Sequence, residues 1–412
     1  MADLPVSILE VQLYGRTIGT LTNLGGDRTI FAFTEDYIAD DDRQVLSLSF
    51  KDAFGNLVTD LPATQRRLLP FFANLLPEGH LRDYLAQRAG VNPAREFFLL
   101  WALGQDLPGA LTVRPADGEA WPPGLDEEAR EVRPGRRENA LRFSLAGVQL
   151  KFSAISEHAK GGGLSIPAEG VGGCWIVKLP STRFDNVPEN EFAMMTLARL
   201  VGIDVPEFTL IETDAIEGLP EGLGTLRGQR SYAIKRFDRT ADGPIHTEDF
   251  AQVFGVYPDD KYRKGTARHI AKVLGIETGE ADVAEFFRRL VFNVLIGNAD
   301  MHLKNWSLIY PDGRTPMIAP AYDFVSTIAY LEDDEAAIKF SQTKRFDRFT
   351  EDEISRLANK AGLPERPALQ VAWETIERFR AVWADEKSHL PLPKDLRTTI
   401  EVHLAKLPII RG

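Results

Sequence analysis

Gly297-Asn298-Ala299-Asp300-Met301-His302-Leu303-Lys304-Asn305, followed by apolar Trp306 to Tyr310 and then Ala321-Tyr322-Asp323-Phe324, is the stretch that decides how this chain is read. An acid at 300 is followed five positions later by an amide at 305, then by a strand-like run, then by a second acid at 323. Upstream, Val283, Phe286, Phe287, Leu290, Val291, Val294 and Leu295 keep the i, i+3, i+4, i+7 rhythm of a helix with one buried face. Gly297 can end that helix, because glycine tolerates the left-handed cap conformation. The loop therefore leaves the end of a buried helix, which gives it a rigid base.

This order of residue types is that of a protein-kinase-like phosphotransfer site. Phosphoryl transfer needs little covalent help, so a protein contributes by positioning the group and neutralising its charge. Asp300 is placed to orient an attacking hydroxyl and accept its proton. Magnesium is a hard ion that takes oxygen ligands and keeps several waters, and Asn305 and Asp323 offer it an amide oxygen and a carboxylate. Lys304 either lies against the migrating phosphate or is a solvated surface lysine.

Composition bounds the rest. The 412 residues are 44% hydrophobic and 26% charged, the profile of a globular protein with room for two or three domains. Apolar runs fall well short of the roughly 18 residues needed to span a bilayer. Met1 to Pro5 carries neither the basic nor the apolar part of a signal peptide. The one cysteine, Cys174, excludes an internal disulfide, and its place beside Trp175 in an apolar run implies a packing role. These features point to the cytoplasm. A net charge of −12 argues against broad nonspecific binding to nucleic acid by this chain alone.

The expected fold class is α+β: a small β-rich N-terminal subdomain, then a two-lobed kinase-like core with a mostly helical C-lobe. Residues 1–115 form the first part. Leu9, Val11 and Leu13 alternate with polar positions as a half-buried strand, and Leu81 to Arg88 and Arg95 to Leu103 are helical. Nothing in this part clusters titratable groups. Residues 116–139, with Pro122-Pro123-Gly124 and a run of acids, form a linker.

Residues 140–237 have the texture of a nucleotide-binding lobe. Ala146-Gly147 marks a small-residue turn, either an ordinary hairpin or one whose backbone N–H groups approach phosphates. Cys174 to Leu179 is a strand with Lys178 buried in it, which is costly unless the lysine is paired. A kinase strand carries such a lysine, bound to the α/β-phosphates and to a Glu of the next helix. Asn190-Glu191 opens that helix, and Glu191 is the first candidate for the partner, with Glu189 the other. Ser231 to Phe237 is the strand leading to the hinge, so the backbone from Lys235 to Phe237 is the adenine contact. His246 to Phe250 reads as an N-cap and first helical turn, its His structural. Residues 238–412 are the helical catalytic lobe.

Taken together, the chain resembles the HipA family of serine/threonine-kinase toxins from bacterial type II toxin–antitoxin modules, over nearly its whole length. The residues that carry the resemblance include Asn74 to Gly79, Gly109-Ala110-Leu111, Ser144 to Lys151, Lys178-Leu179-Pro180, Asn190-Glu191, Arg236 to Arg239, His246 to Phe250, Gly297 to Asn305 and Tyr322-Asp323. The resemblance implies ATP and magnesium, and phosphorylation of a protein such as an aminoacyl-tRNA synthetase. It implies a HipB-like helix-turn-helix antitoxin that would bring this acidic chain to operator DNA. It places the catalytic Asp at 300, metal ligands at Asn305 and Asp323, the ATP lysine at 178 and an inhibitory autophosphorylation site at Ser144. A phosphate on Ser144 would add roughly −2 charge where ATP phosphates must sit. Leu150 stands where many family members have an acidic or small residue. A kinase-like co-repressor and a small-molecule phosphotransferase are the alternative readings.

Overall fold

The structure is a computed structural model, and it describes residues 6–122, 151–157, 163–165, 173–217, 219, 225–331 and 335–411. The alternation at Leu9, Val11 and Leu13 becomes β1 (Ile8–Leu13), in which these three residues are buried. Tyr14 and Gly15, both at positive φ, turn the chain into β2 (Arg16–Asn23), since hairpin turns of this hand match the strand twist. With β3 (Arg28–Phe33), β4 (Thr64–Gln65) and β5 (Leu111–Pro115) they form an antiparallel sheet in the order β4-β3-β2-β1-β5. The helices Gly79–Ala89 and Glu96–Leu103 belong to the same core. Every residue of the second helix is buried, so it has no polar face at all.

The second sheet contains β6 (Lys151–Glu157), β7 (Gly163–Ser165), β8 (Trp175–Lys178), β9 (Phe208–Glu212) and β10 (Arg230–Lys235), in the order β7-β6-β8-β10-β9. Its two faces go to two different cores. Ala154, Val177, Leu179 and Ala233 pack with the N-terminal subdomain, whereas Phe208, Tyr232 and Ile234 pack with the helix Val187–Val201 and the C-lobe. The sheet is therefore a wall shared by both halves of the chain. An α+β fold with a kinase-like core is what the sequence led us to expect.

The helix read from residues 283–295 runs Glu280–Ile296 and ends at Gly297, φ 66°, whose N–H reaches back to Asn293 and Val294 carbonyls. A Cβ at 297 would also come within 2.5 Å of Ile328, so the left-handed cap and the tight packing both select glycine. Beyond the loop, Ser307–Tyr310 pairs with His246–Asp249 on one side and Met317–Ile318 on the other. The helices Ala267–Glu277, Glu351–Ala361, Glu365–Glu386 and Lys394–Lys406 complete the C-lobe. Among the described residues no helix is long and apolar enough to cross a membrane.

Three local expectations are corrected. His246 to Asp249 is a strand rather than a helix start, and only Asp249 caps, in a reciprocal pair with Gln252. The helix carrying Glu191 begins at Val187, so Asn190-Glu191 sits within its first two turns. Cys174 is exposed, because it precedes β8 instead of lying inside it.

Candidate active site

One cavity of about 940 Å³ lies between the second sheet and the C-lobe, and the described site residues line it. The strand period puts Lys178, the last residue of β8, buried at this cavity. Its Nζ lies 2.5 Å from Glu191 Oε1 and also pairs with Asp323. Burial opposes the lysine's charge, but the Asp323 and Glu191 carboxylates outweigh it and raise the pKa above the ordinary lysine value. Glu189, the other candidate, binds Arg230 at 3.1 Å instead.

Asp323 has φ 59°, a conformation uncommon outside glycine. Residues held this way gather at active sites, where surrounding contacts over-determine them. One such contact is Asn298, whose Nδ2 donates to the Asp323 carbonyl at 3.3 Å and to Asn293 Oδ1 at 2.9 Å. Its Oδ1 accepts the Asp300 N–H at 3.0 Å. One buried amide thus fixes the backbone at both acids. Thr327 adds a second tie, its Oγ1 accepting the Ala299 N–H at 2.6 Å.

Asp300 is half-buried. Burial raises its carboxyl above the ordinary range, opposed by the Tyr262 hydroxyl, which donates to Oδ1 at 2.7 Å, and by the Lys261 charge. Asn305 lies five residues on, and its Nδ2 donates to the Asp300 carbonyl at 3.2 Å. That bond commits the amide nitrogen and leaves the amide oxygen as the donor suited to a cation. Nearby His302 is pulled down to about 3 by burial and then by the Lys261 charge, so it is neutral near pH 7.

Lys304 is buried, which removes the solvated-surface alternative. Its Nζ donates to the Asn74 carbonyl at 2.9 Å and lies 3.0 Å from Glu78. Glu78 also accepts from Lys261 at 2.7 Å. Burial opposes the Glu78 charge, but Lys304 and then Lys261 hold its carboxyl down at about 2. Asn74 and Glu78 come from the N-terminal subdomain, so this part, in which the sequence showed no cluster of titratable groups, lends the site one acid. Its signal was the compact run Asn74 to Gly79, in which a lone acid follows a buried apolar turn.

At the hinge, the Lys235 and Arg236 N–H groups already bond the Glu207 and Cys174 carbonyls, at 2.8 and 2.7 Å. The Phe237 N–H has no partner among the described residues and is the one free to meet a ligand. The Phe237 ring stacks on Tyr322 at 5.8 Å, and both line the cavity. The Lys235 side chain is exposed and points to Glu207 at 3.5 Å. Ser144, Ala146 and Gly147 lie outside the described residues.

Glu248 and Asp249 also line the cavity. Burial pushes Glu248 up to about 7, against bonds from Ser47, Tyr310 and Leu48, and Asp249 up to about 6, against the Lys304 charge. A folded pKa above the unfolded one means that Glu248 supports stability fully below about pH 4.5. That support is lost as the pH rises through 7, on the order of 1–3 kcal/mol. Thermal melting is therefore expected to fall between pH 5 and 8, and Glu248→Gln is expected to flatten that fall. An unchanged slope in the variant would exclude Glu248 as its source.

Residues 143–383 match the HipA-like C-terminal domain and residues 9–114 match the HipA N-terminal domain. The chain belongs to the HipA family. A relative in Sinorhizobium fredii (strain NBRC 101917 / NGR234), the provisionally named kinase Y4dM, is 60% identical over 407 residues, 98% of each chain. The serine/threonine-protein kinase toxin HipA of Shewanella oneidensis is 27% identical over 380 residues, 82% of this chain and 79% of that one. The fold matches HipA in the Shewanella oneidensis complex of HipA, HipB and operator DNA, with a TM-score of 0.72 at 22% identity, over 97% of this chain and 95% of that one. Both HipA domains are thus accounted for, and the cavity belongs to a family whose named relatives are kinases.

Proposed function

We propose that this chain is an ATP- and magnesium-dependent serine/threonine-protein kinase, the toxin of a HipBA-type module. The observation that carries the reading is the convergence of Lys178, Glu191, Asp300, Asn305 and Asp323 on one cavity. Among the described residues no three His, Cys, Asp or Glu side chains cluster as a metal cage. Two oxygen donors, Asn305 and Asp323, fit a magnesium ion that takes its other ligands from water and phosphate. When bound, that ion supplies charge neutralisation for the phosphates.

Lys178 leaves Asp323 for the α/β-phosphates while Glu191 keeps it oriented. Phe237 offers its backbone N–H to the adenine edge, beside the Tyr322 ring. The acceptor hydroxyl oxygen bonds to the γ-phosphorus as the bond to the β-phosphate oxygen breaks and ADP leaves. Asp300 takes the hydroxyl proton. Lys304, held by Glu78 and Asn74, adds a fixed positive charge close to the loop. Ala146 and Gly147 are assigned as phosphate contacts and Ser144 as an inhibitory autophosphorylation site on the family resemblance alone. A HipB-like helix-turn-helix antitoxin and, through it, operator DNA are the partners. A bacterial protein such as an aminoacyl-tRNA synthetase is the target class.

Peptide mass spectrometry after incubation with Mg-ATP tests this reading. One added phosphate at Ser144, absent from Asp300→Ala, is the expected result. Bound nucleotide without transfer to any residue or added protein would favour a co-repressor role instead.

A further inference from the structure

We propose that Tyr262 is a positioning residue for the phosphotransfer step, fixing the Asp300 carboxylate from a segment that Lys261 anchors to the N-terminal subdomain. The inference rests on the kinase reading above and names a part of the same site. Tyr262 OH donates to Asp300 Oδ1 at 2.7 Å and is the one side chain that hydrogen-bonds this carboxylate among the described residues. The bond leaves Oδ2 for an acceptor hydroxyl and sets the direction in which that oxygen faces. The phenol ring stands edge-on to His302, centroids 5.0 Å apart, so Tyr262 is itself braced against the catalytic loop.

The segment carrying it is tied at both ends. Lys261 Nζ donates to Glu78 Oε2 at 2.7 Å, and the same carboxylate holds Lys304, four residues past Asp300. At the far end, Gly265 has φ 108° and lies so close to Leu303 that a Cβ would sit 2.9 Å from its side chain. Segment 261–265 therefore touches the loop 300–304 at three points, with Glu78 as the common anchor. An acid whose orientation depends on one phenol loses its near-attack geometry when that phenol is removed.

The test compares the full-length wild type with Tyr262→Phe, Lys261→Met and the double variant. The first readout is the rate of self-phosphorylation against Mg-ATP concentration, and the second is equilibrium binding of Mg-ADP. Tyr262→Phe is expected to lower the maximal rate about 10- to 50-fold with the half-saturating ATP concentration within about 3-fold. Lys261→Met should cost about 5-fold, and the double variant less than the product of the two losses, because part of the lysine's effect runs through the tyrosine. Mg-ADP binding within about 3-fold of wild type reports an intact fold. An unchanged or faster rate in Tyr262→Phe would overturn the proposal, as would phosphate on Tyr262 itself or additive losses. A wild type that binds Mg-ADP yet transfers no phosphate would instead remove the kinase reading, and this inference with it.

Discussion

Asp300→Asn is expected to reduce phosphoryl transfer by about 100- to 10,000-fold while leaving Mg-nucleotide binding within a few-fold of wild type. The amide keeps the shape of the side chain and can still accept the Tyr262 hydroxyl bond, so the loop is preserved. What it loses is the capacity to take a proton. Nucleotide affinity is spared because Asp300 makes no direct contact with Lys178, whose partners are Glu191 and Asp323. Lys178→Met is the informative contrast. It strips a buried Glu191 of its cation, so nucleotide binding and stability should both suffer. Single-turnover transfer from labelled ATP, set beside a nucleotide titration, separates the two variants. Transfer by Asp300→Asn above about a tenth of the wild-type rate would take the proton-accepting role away from this residue.

The largest expected loss of stability comes from the hinge. Asp238 is buried and receives Arg236 through two bonds, 3.0 and 2.9 Å, Arg239 at 2.9 Å and the Gly109 N–H at 2.7 Å. Burial works against its charge, but the two guanidiniums and the backbone bond hold the carboxyl below its ordinary value. Asp106 shares both arginines, at 2.7 and 3.3 Å. Asp238→Ala leaves buried positive charge under-compensated and is expected to cost about 3–5 kcal/mol. Calorimetry should record a fall in melting temperature of roughly 5 °C. Asp238→Asn, which keeps an acceptor for Gly109, should lose less. If both variants melt with wild type, the network contributes nothing to stability.

The loop that carries Asp300 and Asn305 was legible because its pattern is local. Asp300 and Asn305 are five residues apart, their helix announces itself by period, and Gly297 marks the cap. Lys178 and Glu191 were legible for a related reason: a lysine inside an apolar strand demands an acid, and the following helix offers one. Sequence left Glu189 and Glu191 as rivals. The choice fell to helix phase and to Arg230, which claims Glu189 from a distant strand.

What stayed hidden depends on contacts between remote segments. Glu78 meets Lys304 across 226 positions of sequence, and no spacing rule can join them. Lys261-Tyr262-Arg263-Lys264 looks like a solvated basic run, and its role follows only from packing against the loop. Asn298 was quoted in the motif, yet its two-way hydrogen bonding required the backbone of Asp323 to be in place. Cys174 was misplaced because an apolar neighbour was taken as a sign of burial, whereas the strand begins one residue later. His246 to Asp249 misled for a similar reason: a capping pattern dominated local preference, but pairing with Ser307–Tyr310 decided the outcome.

The second sheet presses one face on each half of the protein, and this has a consequence for how the molecule can be divided. A kinase core excised near residue 140 would carry Ala154, Val177, Leu179 and Ala233 on a bare outer surface. It would also lose Glu78 and Asn74 from beneath Lys304. The first 115 residues thus act as a keel: cut apart, both pieces would expose apolar faces that each now buries against the other.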